Sequence, residues 1–458
     1  MNTRRYLIVL LVLVGMINTS GAGTPLDHYV NTPDPSYRYE VVNTSAGKGY
    51  TAYIIDMVSQ RWRKPDELDR NVWHHWLTII KPDEISGSTA LLFISGGRNG
   101  RPAPSKPDER LAKIALASQT VVADLRMVPN QPLIFPDDNQ RPRLEDEIIA
   151  YTFDKYMNTG DATWPLLLPM VKSAVRALDT IETHMKKVSR NQMNINKFVV
   201  SGASKRGWTT WLTAAVDKRV VAIMPLVIDV LNMDEQMRQH YAAYGFYSQS
   251  IKDYEEMNVF EKLDTPKGQA LIKFVDPYEY RDRFTMPKYM LNSSGDQFFL
   301  PDSSQFYFKD LPGEKYLCYL PNTDHSLRKS DAAECMLAFY RSIVLGLPRP
   351  QFSWVKKDDG TLEVNTQQRP RQVTLWQAHN AEARDFRLQT IGPAWKSSVL
   401  TEQGDGVYVA RPPEPEKGWT AFFIELVFNS PTEIPYKFTT EVSVIPDRLP
   451  FAETRCCK

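Results

Sequence analysis

Apolar residues along this chain gather in short runs separated by polar stretches rich in glycine and proline. The runs at 49–58, 75–80, 89–94, 120–124, 198–200, 219–228, 288–292 and 315–320 are rich in β-branched and aromatic residues and read as strands. Helical spacing appears between most of them. In the stretch 165–187, Val171, Ala174, Val175, Leu178 and Ile181 recur on one helical face. Shorter helices are predicted over 108–118, 209–216 and 330–344, and the polar, aromatic segment from Asp229 to Phe284 is expected to be largely helical. Eight strands with helices between them predict an α/β fold built on one mostly parallel sheet.

Beyond Leu347-Pro348-Arg349-Pro350, which reads as a linker, the pattern changes to short alternating runs at 361–364, 372–376, 386–390, 406–410, 420–427 and 436–444. Turn residues at regular intervals predict a small β-sandwich. The expected division is therefore 24–346 for the α/β domain and 351–458 for the sandwich. His379 lies in the second part and reads as structural.

The first residues belong to neither. Arg4 and Arg5 precede an apolar run over 6–17, and Ser20-Gly21-Ala22-Gly23 follows, the pattern of a secretory signal peptide over 1–22. The run is short for a membrane span. A secreted or periplasmic protein, free of the membrane after cleavage, is expected. Loss of Arg4 and Arg5 takes the formal charge from +1 to −1, which gives no support for nucleic-acid binding. The expected partner is a small-molecule, glycan or peptide substrate. Four cysteines, Cys318, Cys335, Cys456 and Cys457, do not make a disulfide scaffold. His74 and His75, adjacent on a strand, point to opposite faces and are not expected to share a metal. Neither metal nor cofactor is expected.

The candidate chemistry lies where strands end. Gly202-Ala203-Ser204 closes the fifth run and leads into a helix, the setting in which a turn lifts a serine hydroxyl clear of the sheet. The spacing is G-x-S-x-x-G, because Arg206 holds the usual glycine position and Gly207 follows. Ser95-Gly96-Gly97-Arg98 follows the third run, where a second oxyanion donor is expected beside the N–H of Lys205, from Gly97 or Arg98. Asp296 follows the seventh run and His325 the eighth, giving the chain order of an α/β-hydrolase triad. Asp302 is the alternative acid, although its place before a helix offers capping as its reason. Lys205 and Arg206 are cations at a helix N-terminus, an unfavourable place with respect to the helix dipole. At least one of them is expected to pair with an acidic loop residue or to meet substrate charge. The long connection 126–164, with Asn130, Gln131 and the acidic group Glu145-Asp146-Glu147, reads as a substrate-facing wall, so Arg206, Asn130 and Gln131 are candidate substrate contacts.

Together, Ser201-Gly202-Ala203-Ser204-Lys205-Arg206-Gly207-Trp208-Thr209-Thr210-Trp211, Ser293-Ser294-Gly295-Asp296-Gln297-Phe298-Phe299, Pro321-Asn322-Thr323-Asp324-His325, Asn130-Gln131-Pro132 and Ala383-Arg384-Asp385-Phe386 resemble the PhoPQ-activated pathogenicity-related protein family, which includes the autocrine proliferation repressor proteins. The resemblance covers nearly the whole mature chain. It implies secreted or envelope α/β-hydrolase proteins without a well-defined substrate. The nucleophile motif alone is similar to that of glucuronoyl esterases, and by that analogy Lys205 would help hold an oxyanion or a uronate carboxylate. The function expected is a secreted serine hydrolase cleaving an ester or peptide bond. The alternatives are a secreted signalling or interaction protein on a hydrolase scaffold, and a glucuronoyl-esterase-like carbohydrate esterase.

Overall fold

The computed structural model describes residues 23–453. The signal peptide read over 1–22, Cys456 and Cys457 lie outside the described residues. The chain folds around one large sheet whose N-terminal strands are β1 (Arg38–Gly47), β2 (Tyr50–Arg61), β3 (Val72–Pro82), β4 (Thr89–Ile94), β5 (Val122–Leu125), β6 (Lys197–Ala203), β7 (Val220–Leu226), β8 (Lys288–Ser293) and β9 (Lys315–Leu320). Their spatial order is β1-β2-β3-β5-β4-β6-β7-β8-β9. From β5 to β9 every neighbouring pair is parallel, while β1, β2 and β3 run antiparallel along one side. This is an α/β-hydrolase fold.

Side chains alternate between the two faces of a strand, and two cores form accordingly. Leu92, Val200, Ile223, Met290 and Leu317 enter one, while Leu91, Val199, Met224, Leu291 and Cys318 enter the other. Helices Leu167–Val188 and Lys205–Val216 pack together, as do Glu109–Ser118 and Ala332–Val344.

Three expectations need correction. β1 makes a ninth strand in this part of the sheet; it is exposed along most of its length and offers no apolar face, so it carries no strand periodicity. The connection 126–164 contains the helix Asp146–Thr159, which buries Ile148, Ile149, Ala150, Tyr151, Thr152 and Phe153 in succession. Ile148, Ile149, Phe153, Tyr156 and Met157 recur at helical spacing, a short apolar stripe set inside a mostly polar, proline-rich connection. Finally, residues 386–390 are not a strand: the chain forms a short helix, Leu388–Ile391, and the N–H of Leu388 donates to the Gly295 carbonyl at 3.0 Å.

The C-terminal strands form two groups. Tyr436–Thr439, Trp419–Phe428, Gln372–Asn380 and Lys396–Val399 extend the large sheet beyond β9, through the pairing of Leu317 with Thr439. Phe352–Lys356, Leu362–Thr366 and Val407–Ala410 make a separate three-stranded sheet. Leu362, Val364 and Tyr408 from the second group share a core with Leu375, Ile424 and Phe438 from the first. Among the described residues, no helix is long and apolar enough to cross a membrane.

Candidate active site

Register brings the functional loops to one edge. Ile94 pairs with Gly202, Ala203 with Leu226, Leu226 with Leu291 and Ser293 with Leu320, so five strands deliver their following loops side by side. Ser204 is the hinge between β6 and the helix Lys205–Val216, with φ 57° and ψ −130°, a backbone strained for any residue with a side chain. Its N–H donates to the Leu226 carbonyl at 2.8 Å, which fastens the turn to β7. Its hydroxyl neither caps the helix nor makes any other hydrogen bond among the described residues. The two glycines make room: a Cβ at Gly202 would stand 2.7 Å from the Arg206 carbonyl oxygen, and one at Gly207 would stand 2.9 Å from that of Gly202.

His325 follows β9 and Asp296 follows β8. The Nδ1 of His325 lies 2.8 and 3.0 Å from the two carboxylate oxygens of Asp296. The backbone on both sides is held: the Phe298 N–H donates to Asp296 at 2.8 Å, and the His325 N–H donates to the Gln297 side chain at 3.0 Å. Phe298 packs on the imidazole with ring centres 4.2 Å apart. The other ring nitrogen, Nε2, is buried and has no partner among the described residues.

Asp302 sits elsewhere. Its carboxylate accepts from Arg384 at 2.5 Å, Gln239 at 3.0 Å and Gln305 at 3.1 Å. It caps no helix with its side chain. Asp324 accepts from the backbone and hydroxyl of Ser326. Behind the site, Asp229 is fully buried and accepts from the hydroxyls of Tyr307 at 2.5 Å and Tyr319 at 2.6 Å. Burial, reinforced by the charges of Asp296 and Asp302, pushes its carboxyl up to about 7 despite both tyrosines.

Both cations after the nucleophile are paired. The ammonium of Lys205 lies 2.8 Å from Glu145 and 2.9 Å from Asp146, and Arg206 grips Glu145 through two nitrogens at 2.7 and 2.8 Å. Burial alone would raise the Glu145 carboxyl, but the Arg206 hydrogen bonds and the two positive charges hold it well below the usual range. Gln131 joins the same knot, donating to Glu145 at 2.5 Å and to the Gly97 carbonyl at 3.0 Å. Asn130 donates to the His74 and Met127 carbonyls at 2.8 and 2.9 Å. Asn130, Gln131 and Arg206, expected to face substrate, are instead tied to the protein: the two amides are buried, and their polar groups brace the loop from beneath.

That bracing shapes the turn after β4. The N–H groups of Gly97 and Arg98 make no backbone hydrogen bond among the described residues. The N–H of Lys205, in the first turn of its helix, has no intrahelical acceptor. His74 and His75 diverge as their adjacency requires: His74 meets Asp56 at 2.6 Å, while His75 lies between Ser59 and the Arg126 carbonyl, its imidazole lowered by burial to about 3. Among the described residues, no cluster of His, Cys, Asp and Glu has the makings of a metal site.

Two spaces flank the turn. One is an apolar cavity of about 50 Å³ between Ser204 and the helical segment after β7, walled by Met233, Met237, Ile251, Phe260, Leu263 and Phe298. The other is a groove of about 810 Å³ that runs past His325 and the turn Ser95-Gly96-Gly97-Arg98.

A family model described as PhoPQ-activated pathogenicity-related protein matches residues 26–387. The chain belongs to this family. It is 36% identical over 473 residues to autocrine proliferation repressor protein A of Dictyostelium discoideum, an alignment spanning 97% of this chain and 94% of that protein. Among solved structures, it is similar to acetyl xylan esterase 1 of a Thermoanaerobacterium species, with 15% identity, TM-score 0.47, and coverage of 70% of this chain and 93% of that one. The glucuronoyl esterase of Solibacter usitatus follows at 13% identity and TM-score 0.41, with coverage of 70% and 90%.

Proposed function

We propose that this family member is a secreted serine hydrolase that cleaves an ester or peptide bond through Ser204, His325 and Asp296. One observation carries the reading: at a shared sheet edge, Ser204 Oγ and His325 Nε2 are both left without a partner among the described residues, while the other nitrogen of His325 rests on Asp296. A hydroxyl is a weak nucleophile until a base takes its proton, and a carboxylate on Nδ1 keeps the accepting lone pair on Nε2. Ser204 Oγ attacks the carbonyl carbon, and its proton passes to His325. The N–H groups of Lys205 and of Gly97 or Arg98 receive the oxyanion. His325 then protonates the departing alcohol or amine, and water activated on His325 hydrolyses the acyl-enzyme.

The second reading is a signalling protein that uses the scaffold without catalysis, and it rests on the name and near-complete coverage of the Dictyostelium relative. A fluorophosphonate probe separates the two. Labelling of the wild type, abolished in Ser204→Ala, is expected of the hydrolase; an unlabelled wild type supports the signalling reading.

A further inference from the structure

The two spaces beside Ser204 differ in chemistry. The cavity is walled almost entirely by apolar side chains, and the charges at its edge are spent on one another: Lys205 on Asp146 at 2.9 Å, and Asp146 again on the hydroxyl of Tyr254 at 2.9 Å. A charged group placed there would lose its hydration without gaining a free counter-ion. In the same measure the cavity holds about 50 Å³ against about 810 Å³ for the groove, so of the two parts of a substrate the smaller belongs here.

The groove is the opposite. Its carboxylates, Asp108 and Asp124, are already paired with Arg110 at 3.1 Å and Arg126 at 2.7 Å. Arg98, Arg101, Arg328 and Lys329 also line it, are exposed, and form no ion pair among the described residues. Four cations without an ion-pair partner among the described residues, of which Arg328 is partly balanced by the neighbouring charge of Asp324, therefore face a groove large enough for a sugar or aryl group, with His325 in its wall. The group that His325 protonates as it leaves must lie on the His325 side.

Resting on the hydrolase reading, we infer that the substrate is an ester of a short apolar acyl group with an alcohol carrying negative charge: the acyl chain enters the cavity and the anionic alcohol lies along the basic groove. Ser204 Oγ bonds to the carbonyl carbon to give the tetrahedral oxyanion; as this collapses the bond from that carbon to the alcohol oxygen breaks, and the alcohol departs with the serine's proton, delivered by His325 Nε2. This orientation is the reverse of a glucuronoyl ester, whose bulky, hydroxylated sugar would have to occupy the small apolar side.

The test compares para-acetoxybenzoate with para-acetoxybenzamide, which share an acyl group and differ in the charge of the leaving alcohol, on the full chain and on the triple variant Arg101→Gln, Arg328→Gln, Lys329→Gln. Intrinsic reactivity cancels between proteins. The kcat/KM ratio of anionic to neutral ester is expected to fall about tenfold in the variant. In the wild type it should also decline with added salt, as exposed charges are screened. Ser204-dependent hydrolysis with a ratio unmoved by both treatments overturns the inference and leaves the hydrolase reading standing. Labelling of Ser204 without turnover of either ester, or turnover of methyl glucuronate in preference to both, overturns it as well. Absence of both labelling and turnover removes the hydrolase reading and this inference together.

Discussion

Arg206 and Glu145, 61 residues apart, close on each other through two nearly parallel hydrogen bonds of 2.7 and 2.8 Å, directly behind the nucleophile turn. Arg206 also donates to the Val128 carbonyl at 2.6 Å, so one guanidinium ties the turn to the loop that carries Gln131. Planar two-point contact is something lysine does not reproduce. Arg206→Lys and Glu145→Gln should each cost about 2 kcal/mol in denaturant unfolding, discounted for the partial exposure of Glu145. Both should slow fluorophosphonate labelling of Ser204. The pH dependence has a definite sign. Glu145 has a folded pKa below its ordinary 4.5, so its contribution is complete above that value and is lost as pH falls further. Glu145→Gln should lack this part of the acid slope, which titration of unfolding free energy below pH 5 would reveal.

The two carboxylates proposed for the acid predict different failures. Asp296 touches the imidazole, whereas Asp302 is held by Arg384, a buried residue from the C-terminal region. Asp296→Asn should leave the melting temperature near that of wild type and reduce kcat by roughly 10⁴-fold, because the wrong tautomer of His325 is favoured. Asp302→Asn should chiefly destabilise, by about 3 kcal/mol, since it leaves the Arg384 charge buried without its partner. Thermal denaturation alongside turnover distinguishes them, and the reverse pattern would assign Asp302 as the acid.

Asp229 gives a stability effect of opposite sign. Its folded pKa of about 7 exceeds its ordinary 3.8, so its contribution is complete below the lower value and is lost as pH rises through the higher. Asp229→Asn removes the ionisation while retaining an acceptor for one tyrosine. The variant should gain stability relative to wild type between pH 4 and 8, measured by urea unfolding at each pH.

Gly207 is close-packed against backbone. A Cβ there would meet Ile228 Cγ2 at 2.7 Å and the carbonyl oxygens of Gly202 and Leu226 at 2.9 and 3.1 Å. Gly207→Ala should therefore lower stability by about 2 kcal/mol, a crowding effect that outweighs alanine's helix preference. Differential scanning calorimetry checks it; an unchanged or raised melting temperature would contradict the packing argument.

What could be read in the chain before folding follows physical lines. β6 and β7 are legible because each is a compact apolar run, and Ser204 because a strand, glycine and helix start surround it. β1 is illegible because an exposed edge needs no apolar face. Asn130 and Gln131 misled because polar residues in a long connection usually face water, whereas here they satisfy backbone groups in the interior. The pairing of Leu317 with Thr439 leaves no local trace, since neither residue signals a partner more than a hundred positions away. Glu145 lay in a recognisable acidic cluster, and the cations after Ser204 pointed toward such a partner, but nothing in spacing singled out which carboxylate would answer.

The bond from Leu388 to Gly295 has a practical consequence for handling this protein. Gly295 precedes Asp296, and a Cβ on it would press on Leu388 at 3.0 Å, so the tail of the chain is moulded onto the peptide that presents the acid. A truncation after residue 346, attractive as a minimal catalytic fragment, would strip that mould away, expose the edge of β9 and take Arg384 from the carboxylate of Asp302. Shortened versions prepared for crystallisation or screening should therefore misreport the protein, and fusion tags belong after the last strand instead of at the proline-rich joint.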